Sequence, residues 1–199
     1  MSAKPLRNKA VKDLYETLAS GRMDTLSEED LSIERMIRVM PNNDTPLHAS
    51  ARSGVLPNLP ACILRHQYLQ IPGLDGQTVY HVALSSGCFD ALPSHLHTED
   101  MLLLKDATGV AFVVEIAKRG MLPVVHRPAL TNKVMSAMDL EGNNVLMLAA
   151  QTDTVHCVPD ALISYDLIAS VNRDSRNVFD YLEDDDFQKQ RIESLVWSR

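Results

Sequence analysis

The sequence predicts an all-α protein, a solenoid of stacked helix-turn-helix units with a helical cap at each end. Three observations predict this class: marker residues recur every 33 positions, helix start and stop signals fall inside each period, and apolar residues keep the same register. With 199 residues, 45% of them hydrophobic, the chain can bury a sizeable core, and we expect one folded domain.

The first helix is predicted from residues 44–54, DTPLHASARSG. Thr45 is a good N-cap, Pro46 suits the first helical position, and Gly54 can take the left-handed conformation that ends a helix. A helix of about two turns is marginal on its own in water, so it needs companions to pack against.

Companions occur at a constant spacing. Thr45 and Thr78 are 33 residues apart, as are His48 and His81. Further glycines and apolar residues recur with the same 33-residue spacing, in three sets: Gly54, Gly87 and Gly120; Gly76, Gly109 and Gly142; Leu56, Phe89, Leu122 and Val155. Ala83, Ala149 and Ala150 would let helices approach closely, while Leu47, Leu92 and Leu146 would fill the space between repeats.

The period extends to both ends in degenerate form. VKDLYETLASG (11–21) is a weaker copy of the first helix, and SRNVFDYLEDD (175–185) keeps the frame of residues 76–86. We therefore expect a single repeat domain over 1–199, with an N-terminal cap at about 1–44, repeats at about 45–77, 78–110, 111–143 and 144–176, and a C-terminal cap at about 177–199.

DTPLHASARSG and GQTVYHVALSSG most clearly, and GNNVLMLAAQTD less so, resemble the ankyrin repeat family over roughly residues 12–183. The third repeat, GVAFVVEIAKRG (109–120), lacks the Thr, Pro and His of the motif. The second helices carry "LP" and a Thr-led short segment such as LHTEDMLLL (96–104) in place of one long leucine-rich helix. The resemblance is to the divergent type met in bacteria and their viruses.

Histidines raise the question of catalysis. For His48 and His81 the resemblance implies a structural role, hydrogen bonding within and between repeats. A metal-dependent enzyme using His95, His97 or His126 is an alternative, but no third ligand has suitable spacing around HLH, and Thr98, Glu99 and Asp100 read as a helix start. We expect no enzyme, no metal and no cofactor.

Composition narrows the partner class. The net charge of −7 comes without a continuous Lys/Arg stripe, so nucleic acid is not expected as a ligand. No apolar run reaches the roughly 20 residues of a membrane span, and three scattered cysteines favour a reducing cytoplasm. The acidic run EDDD (183–186) is predicted to be a solvated end of the stack.

These expectations favour a non-enzymatic protein-protein interaction module that binds through its concave face and turn tips. We expect an inhibitor (an immunity or anti-defence protein) or an adaptor, with a delivered effector or a structural assembly subunit as alternatives, and a basic enzyme or nuclease as partner. The predicted contacts are exposed positions at the ends of first helices and at turn tips: Arg52, Ser53, Leu74, Asp75, Gln77, Ser85, Ser86, Asp106, Thr108, Lys118, Arg119, Glu141, Asn143, Gln151, Asp174 and Arg176. The oligomeric state stays open.

Overall fold

The computed structural model describes residues 8–182 and 186–197, and it is helical. Within these ranges there is no β-strand, only isolated antiparallel bridges, so the all-α class is confirmed. None of the helices in the described ranges has the length and apolar character that a bilayer crossing requires. The acidic residues 183–185 lie outside the described part of the chain.

The chain divides between Leu96 and His97 into two compact units. The first unit contains five α-helices: α1 Asn8–Ala19, α2 Ile33–Met36, α3 Pro46–Arg52, α4 His66–Leu69 and α5 Val79–Ser85. The second contains six: α6 Glu99–Leu102, α7 Phe112–Lys118, α8 Asn132–Met135, α9 Val145–Gln151, α10 Tyr165–Ala169 and α11 Asp186–Trp197. The prediction of a single repeat domain is not tested by this division.

In the first unit the longer helices pack side by side. Helix α3 contacts α1 on one side and α5 on the other, and α2 also packs against it. The apolar faces that meet are fully buried, for example Leu18 of α1, Leu47 of α3 and Val79 of α5. Burial of these faces stabilises helices that are too short to persist alone.

The second unit repeats the same scheme. Helix α9 packs between α7 and a 3-10 helix at Val178–Tyr181. Helix α6 lies against α7, and helix α8 lies against α9. Phe112, Leu146 and Val178 are fully buried between these neighbours. Ala149, a predicted small contact residue, is also fully buried, which lets adjacent helices approach closely.

The 33-residue period is visible in the backbone of both units. Helices α3, α5, α7 and α9 start at positions 46, 79, 112 and 145, and helices α2, α4, α6, α8 and α10 start at 33, 66, 99, 132 and 165. Among the described residues, those with positive φ fall into two series of the same spacing: Gly21, Gly54, Gly87, Gly120 and Asp153; Asn43, Gly76, Gly109, Gly142 and Ser175. Each repeat therefore turns at the same two places.

The predicted helix starts are confirmed at Thr45 and Thr98. Nδ1 of His48 accepts from the backbone N–H of Thr45 at 3.1 Å and lies 2.8 Å from Oγ1 of Thr45, while the backbone N–H of His48 donates to the carbonyl of Thr45 at 3.0 Å. The Thr98 side chain accepts from the backbone N–H of Met101. In the third repeat, Ala111 occupies the corresponding position without a side-chain cap.

The second half of each repeat is broken into short pieces, as the LP dipeptides predict. Leu56–Asn58 and Leu122–Val124 are 3-10 helices with proline in their first turn, and an extended residue follows each of them. A separate short helix, α4 or α8, then begins at His66 or Asn132.

Candidate partner-binding surface

Five turn tips project from the repeats, at residues 40–44, 73–77, 106–110, 139–143 and 172–176. Each closes with a backbone hydrogen bond from its first residue to its fifth, as in Asp139 to Asn143 at 3.0 Å. Three tips are fixed further by the first side chain. Oδ1 of Asp106, Asp139 and Asn172 accepts from the backbone N–H groups two and four residues later, at 2.9–3.0 Å.

This local role changes the interpretation of Asp106 and Thr108. Besides the two backbone groups, Oδ1 of Asp106 accepts from the hydroxyl of Thr108 at 2.6 Å, so this oxygen is used inside the tip. Asp106 was predicted to be a partner contact, but Asp106, Asp139 and Asn172 each lie three residues before Gly109, Gly142 or Ser175, a spacing typical of such turns. That spacing was the available signal.

In the second unit, two adjacent tips are bonded to each other. Asn172 donates to Oδ1 of Asn143 at 2.8 Å, and the backbone N–H of Arg173 donates to the carbonyl of Glu141 at 2.9 Å. The hydroxyl of Tyr181 also donates to Asn143. We call tips 139–143 and 172–176, with the flanking Met138 and Val171, the paired tips.

Asn143 requires a correction. It was predicted to be an exposed contact residue, but it is 3% exposed and its amide donates to the carboxylate of Asp139. Its side-chain oxygen accepts the bonds from Asn172 and Tyr181. The buried side chain of Asn143 therefore connects the two paired tips by hydrogen bonds.

The paired tips expose large apolar side chains. Met138, Leu140 and Val171 are 51%, 58% and 57% exposed, respectively. Polar neighbours at the same tips, Glu141, Asp174 and Arg176, are exposed as predicted. Exposed apolar side chains grouped on rigid turns are typical of a protein contact site.

The tips of the first unit also approach each other. The carboxylate of Asp44 accepts from the backbone N–H of Leu74 at 3.2 Å. With Nδ1 of His48 accepting from Thr45, the ring proton lies on Nε2, which faces the carbonyl of Gln77 at 3.3 Å. Leu74 and Gln77 are exposed. The side chain of Asp75 lies outside the described part of the structure.

Burial controls the ionisation of His48. Desolvation lowers the pKa of His48 below its ordinary value of 6.5, although nearby Asp44 acts in the opposite direction. The ring is fully buried and makes the bonds described above. This agrees with the structural role that the resemblance implied.

The cationic side chains among the predicted contacts, Arg52, Lys118 and Arg119, are paired with acids. Arg52 binds the nearly buried carboxylate of Asp44 at 2.5 Å. Burial would raise the pKa of Asp44, but the hydrogen bonds from Arg52 and Leu74 outweigh it and hold the pKa below 3.8.

The second unit pairs its cations in the same way. Lys118 binds the buried carboxylate of Asp139 at 2.9 Å, and Arg119 binds Glu115 of its own helix at 2.7 Å. Burial of Asp139 is again outweighed by its hydrogen bonds to Lys118 and Asn143, so its pKa is lowered. The ion pairs of Arg52 and Lys118 therefore stabilise the turn tips 40–44 and 139–143.

The remaining predicted contacts at helix ends divide by their hydrogen bonds. The hydroxyls of Ser53 and Ser86 donate to backbone carbonyls of the preceding helix turn. Ser85 and Gln151 are exposed. Their role in binding remains a prediction.

A groove that the sequence did not predict lies in the first unit. It has a volume of about 840 Å³ and runs between α1 and the segment 38–42. Its lining includes cationic, aromatic and apolar side chains: Lys9, Lys12, Tyr15, Arg38, Val39 and Asn42. We call it the α1 groove. Sequence spacing could not find it, because residues 9–16 and 38–42 meet only in the folded unit.

The histidines of the metal hypothesis have other surroundings. The backbone N–H of His126 donates to Nδ1 of buried His97 at 3.3 Å, so this ring nitrogen is engaged. His95 is exposed. Across residues 8–182 and 186–197, no group of three His, Cys, Asp or Glu side chains is placed to hold a metal ion.

Comparison with known proteins gives a likeness of fold. No protein-family model matches the sequence, and no curated protein matches it. A similar solved structure is that of the predatory endopeptidase Bd0816 from Bdellovibrio bacteriovorus in complex with immunity protein Bd3460. The match has a TM-score of 0.58 at 17% identity, and it covers 92% of this chain and 96% of the other.

Proposed function

We propose that the chain is a divergent ankyrin-repeat protein without enzymatic activity that binds a protein partner through its turn tips and inhibits it. The 33-residue spacing of helices, turn tips and positive-φ residues supports the repeat assignment. The matched solved structure, an endopeptidase in complex with an immunity protein, supports an inhibitor in preference to an adaptor.

The observation that carries the proposal is the exposure of Met138, Leu140 and Val171 on the paired tips. The bonds between Asn143 and Asn172 and between Glu141 and Arg173 hold these side chains on a fixed frame. A rigid surface loses little conformational entropy on binding, and a few apolar anchors carry most of the binding energy of an interface.

The polar surroundings suit a charged partner. Glu141, Asp174 and Arg176 are exposed beside the apolar side chains and would form the rim of the contact. The net charge of −7 would speed encounter with a basic enzyme, such as a nuclease or a peptidase. The mode of inhibition is physical occlusion of the enzyme by the tips.

The test is affinity capture of the tagged chain from the cells that carry its gene, followed by identification of a stoichiometric partner. Leu140→Asp combined with Met138→Asp should abolish capture. Tyr165→Asp is the matched control, because Tyr165 is 67% exposed on α10, outside the turn tips, and should retain the partner. The purified partner should lose its activity at one equivalent of wild-type protein.

Two results would refute the proposal. One is that the wild-type chain retains no stoichiometric protein. The other is that the partner binds the Leu140→Asp and Met138→Asp double variant as tightly as it binds wild type.

A further inference from the structure

The α1 groove is a local exception to the acidic character of the protein. Among the described residues, its lining includes the cationic side chains of Lys9, Lys12 and Arg38 and the carboxylate of Glu16. Lys12 and Glu16 lie 3.6 Å apart but are 66% and 61% exposed, so water screens their attraction. The described lining therefore has an excess of cationic side chains within a chain of net charge −7.

Apolar surface lies beside these charges. Val39 is 55% exposed on the rim of the groove, and Pro41 follows it on the same segment. A volume of about 840 Å³ is in the range of sites that enclose a few side chains, and it is too small for a folded domain. The dimensions suit a short segment of polypeptide.

Hydrogen bonds fix the side chain of Tyr15, which forms one wall of the α1 groove. The hydroxyl of Tyr15 donates to Asp44 at 3.2 Å and accepts from Arg52 at 3.2 Å, and Asn42 donates to the same hydroxyl at 3.4 Å. The ion pair between Asp44 and Arg52 thus fixes the aromatic ring between α1 and segment 38–42. A preformed wall reduces the entropic cost of binding.

We propose that the α1 groove binds an acidic segment of the protein partner, in which carboxylates alternate with apolar side chains. The carboxylates face Lys9 and Lys12, and an apolar side chain contacts Val39. This inference rests on the proposed function, because it names the chemistry of one part of the partner. It adds a second contact that is independent of the paired tips.

A peptide assay tests the groove without the natural partner. The probe is a fluorescein-labelled decapeptide of alternating Glu and Leu, with an alternating Lys and Leu peptide for comparison, and binding is measured by fluorescence anisotropy. We expect the acidic peptide to bind with a Kd below about 1 mM and more tightly than the basic one. Binding should weaken as salt is raised, because exposed charges are screened.

Two charge-reversed double variants locate the site. Lys9→Glu with Lys12→Glu should raise the Kd of the acidic peptide about tenfold, a loss of about 1.4 kcal/mol. Lys105→Glu with Lys133→Glu is the control in the second unit. It makes the same change in net charge at exposed lysines and should alter the Kd less than about twofold. Circular dichroism checks that both variants are folded.

Three outcomes would overturn the groove assignment: no binding of the acidic peptide up to about 1 mM, no preference over the basic peptide, or equal losses in the two double variants. Capture of the natural partner separates this result from the proposed function. A partner retained by the Lys9→Glu and Lys12→Glu variant at wild-type affinity would refute the groove contact and leave the inhibitor proposal standing.

Discussion

The carboxylate of Asp44 and the guanidinium of Arg52 form an ion pair at 2.5 Å that fixes turn tip 40–44 to helix α3. Asp44 is 2% exposed and also accepts from Leu74 of the next tip. One buried side chain therefore connects helix α3, two tips and the wall of the α1 groove.

Replacing Asp44 with Asn should destabilise the protein. The change removes the charge that Arg52 and Tyr15 bind, and we expect the free energy of unfolding to fall by about 1–3 kcal/mol in urea titrations. Asp13→Asn, at an exposed position on α1, should change it by less than about 0.5 kcal/mol. Equal effects of the two substitutions would contradict the role of Asp44.

His48 should make stability depend on pH near neutrality. Its pKa is lowered in the folded protein, so its contribution is complete above the ordinary value of 6.5 and is lost as the pH falls through the folded value. We expect urea titrations to show falling stability from pH 7 towards pH 5, and a shallower fall in His48→Gln. His156→Gln, at an exposed histidine, should keep the wild-type slope. An unchanged slope in His48→Gln would exclude His48 as the cause.

Gly73 should not tolerate a side chain. A Cβ atom there would lie 2.6 Å from Nε2 of His48 and 2.7 Å from Oδ1 of Asp44, both held by hydrogen bonds. Gly73→Ala should therefore lower the melting temperature more than Gly109→Ala, which meets no atom within 4 Å and suffers only the strain of a positive φ. A larger loss in Gly109→Ala would show that the close approach at Gly73 is relieved at little cost.

Ser175 should be improved by glycine. Its φ of 60° is in the left-handed region, at a position where the corresponding residues 33, 66 and 99 positions earlier are Gly142, Gly109 and Gly76. Ser175→Gly should raise the free energy of unfolding by up to about 1 kcal/mol, because strain is relieved and outweighs the entropy that glycine adds to the unfolded chain. Calorimetry that finds a lower melting temperature would contradict this.

Local features of the fold could be predicted from the sequence. The start of α3 at Pro46, its cap at Thr45 and the left-handed Gly54 depend on neighbouring residues, so the stretch DTPLHASARSG contains the information. Repetition at 33 residues then extended these assignments along the chain. The positive φ of Asp153 was missed, because only glycine was taken as a signal for that position.

The candidate surface was predicted less well, because its properties depend on distant partners. Lys118 was predicted to be a partner contact, and it is exposed, but its ammonium group binds Asp139 at the turn tip 139–143. Asn143 was placed at an exposed tip, yet Asn172 and Tyr181 bury it. Periodicity gives the position of a residue in its repeat. The exposure of its side chain and its bonding partners depend on residues that are brought close only in the folded protein.

The most direct test of the account is hydrogen exchange of the protein alone and in complex with its captured partner. We predict slower amide exchange on binding within residues 138–143 and 171–176. Exchange in helices α8 and α10, which lie outside the turn tips, should stay unchanged. Protection confined to α8 and α10, with no change at the paired tips, would contradict the central claim.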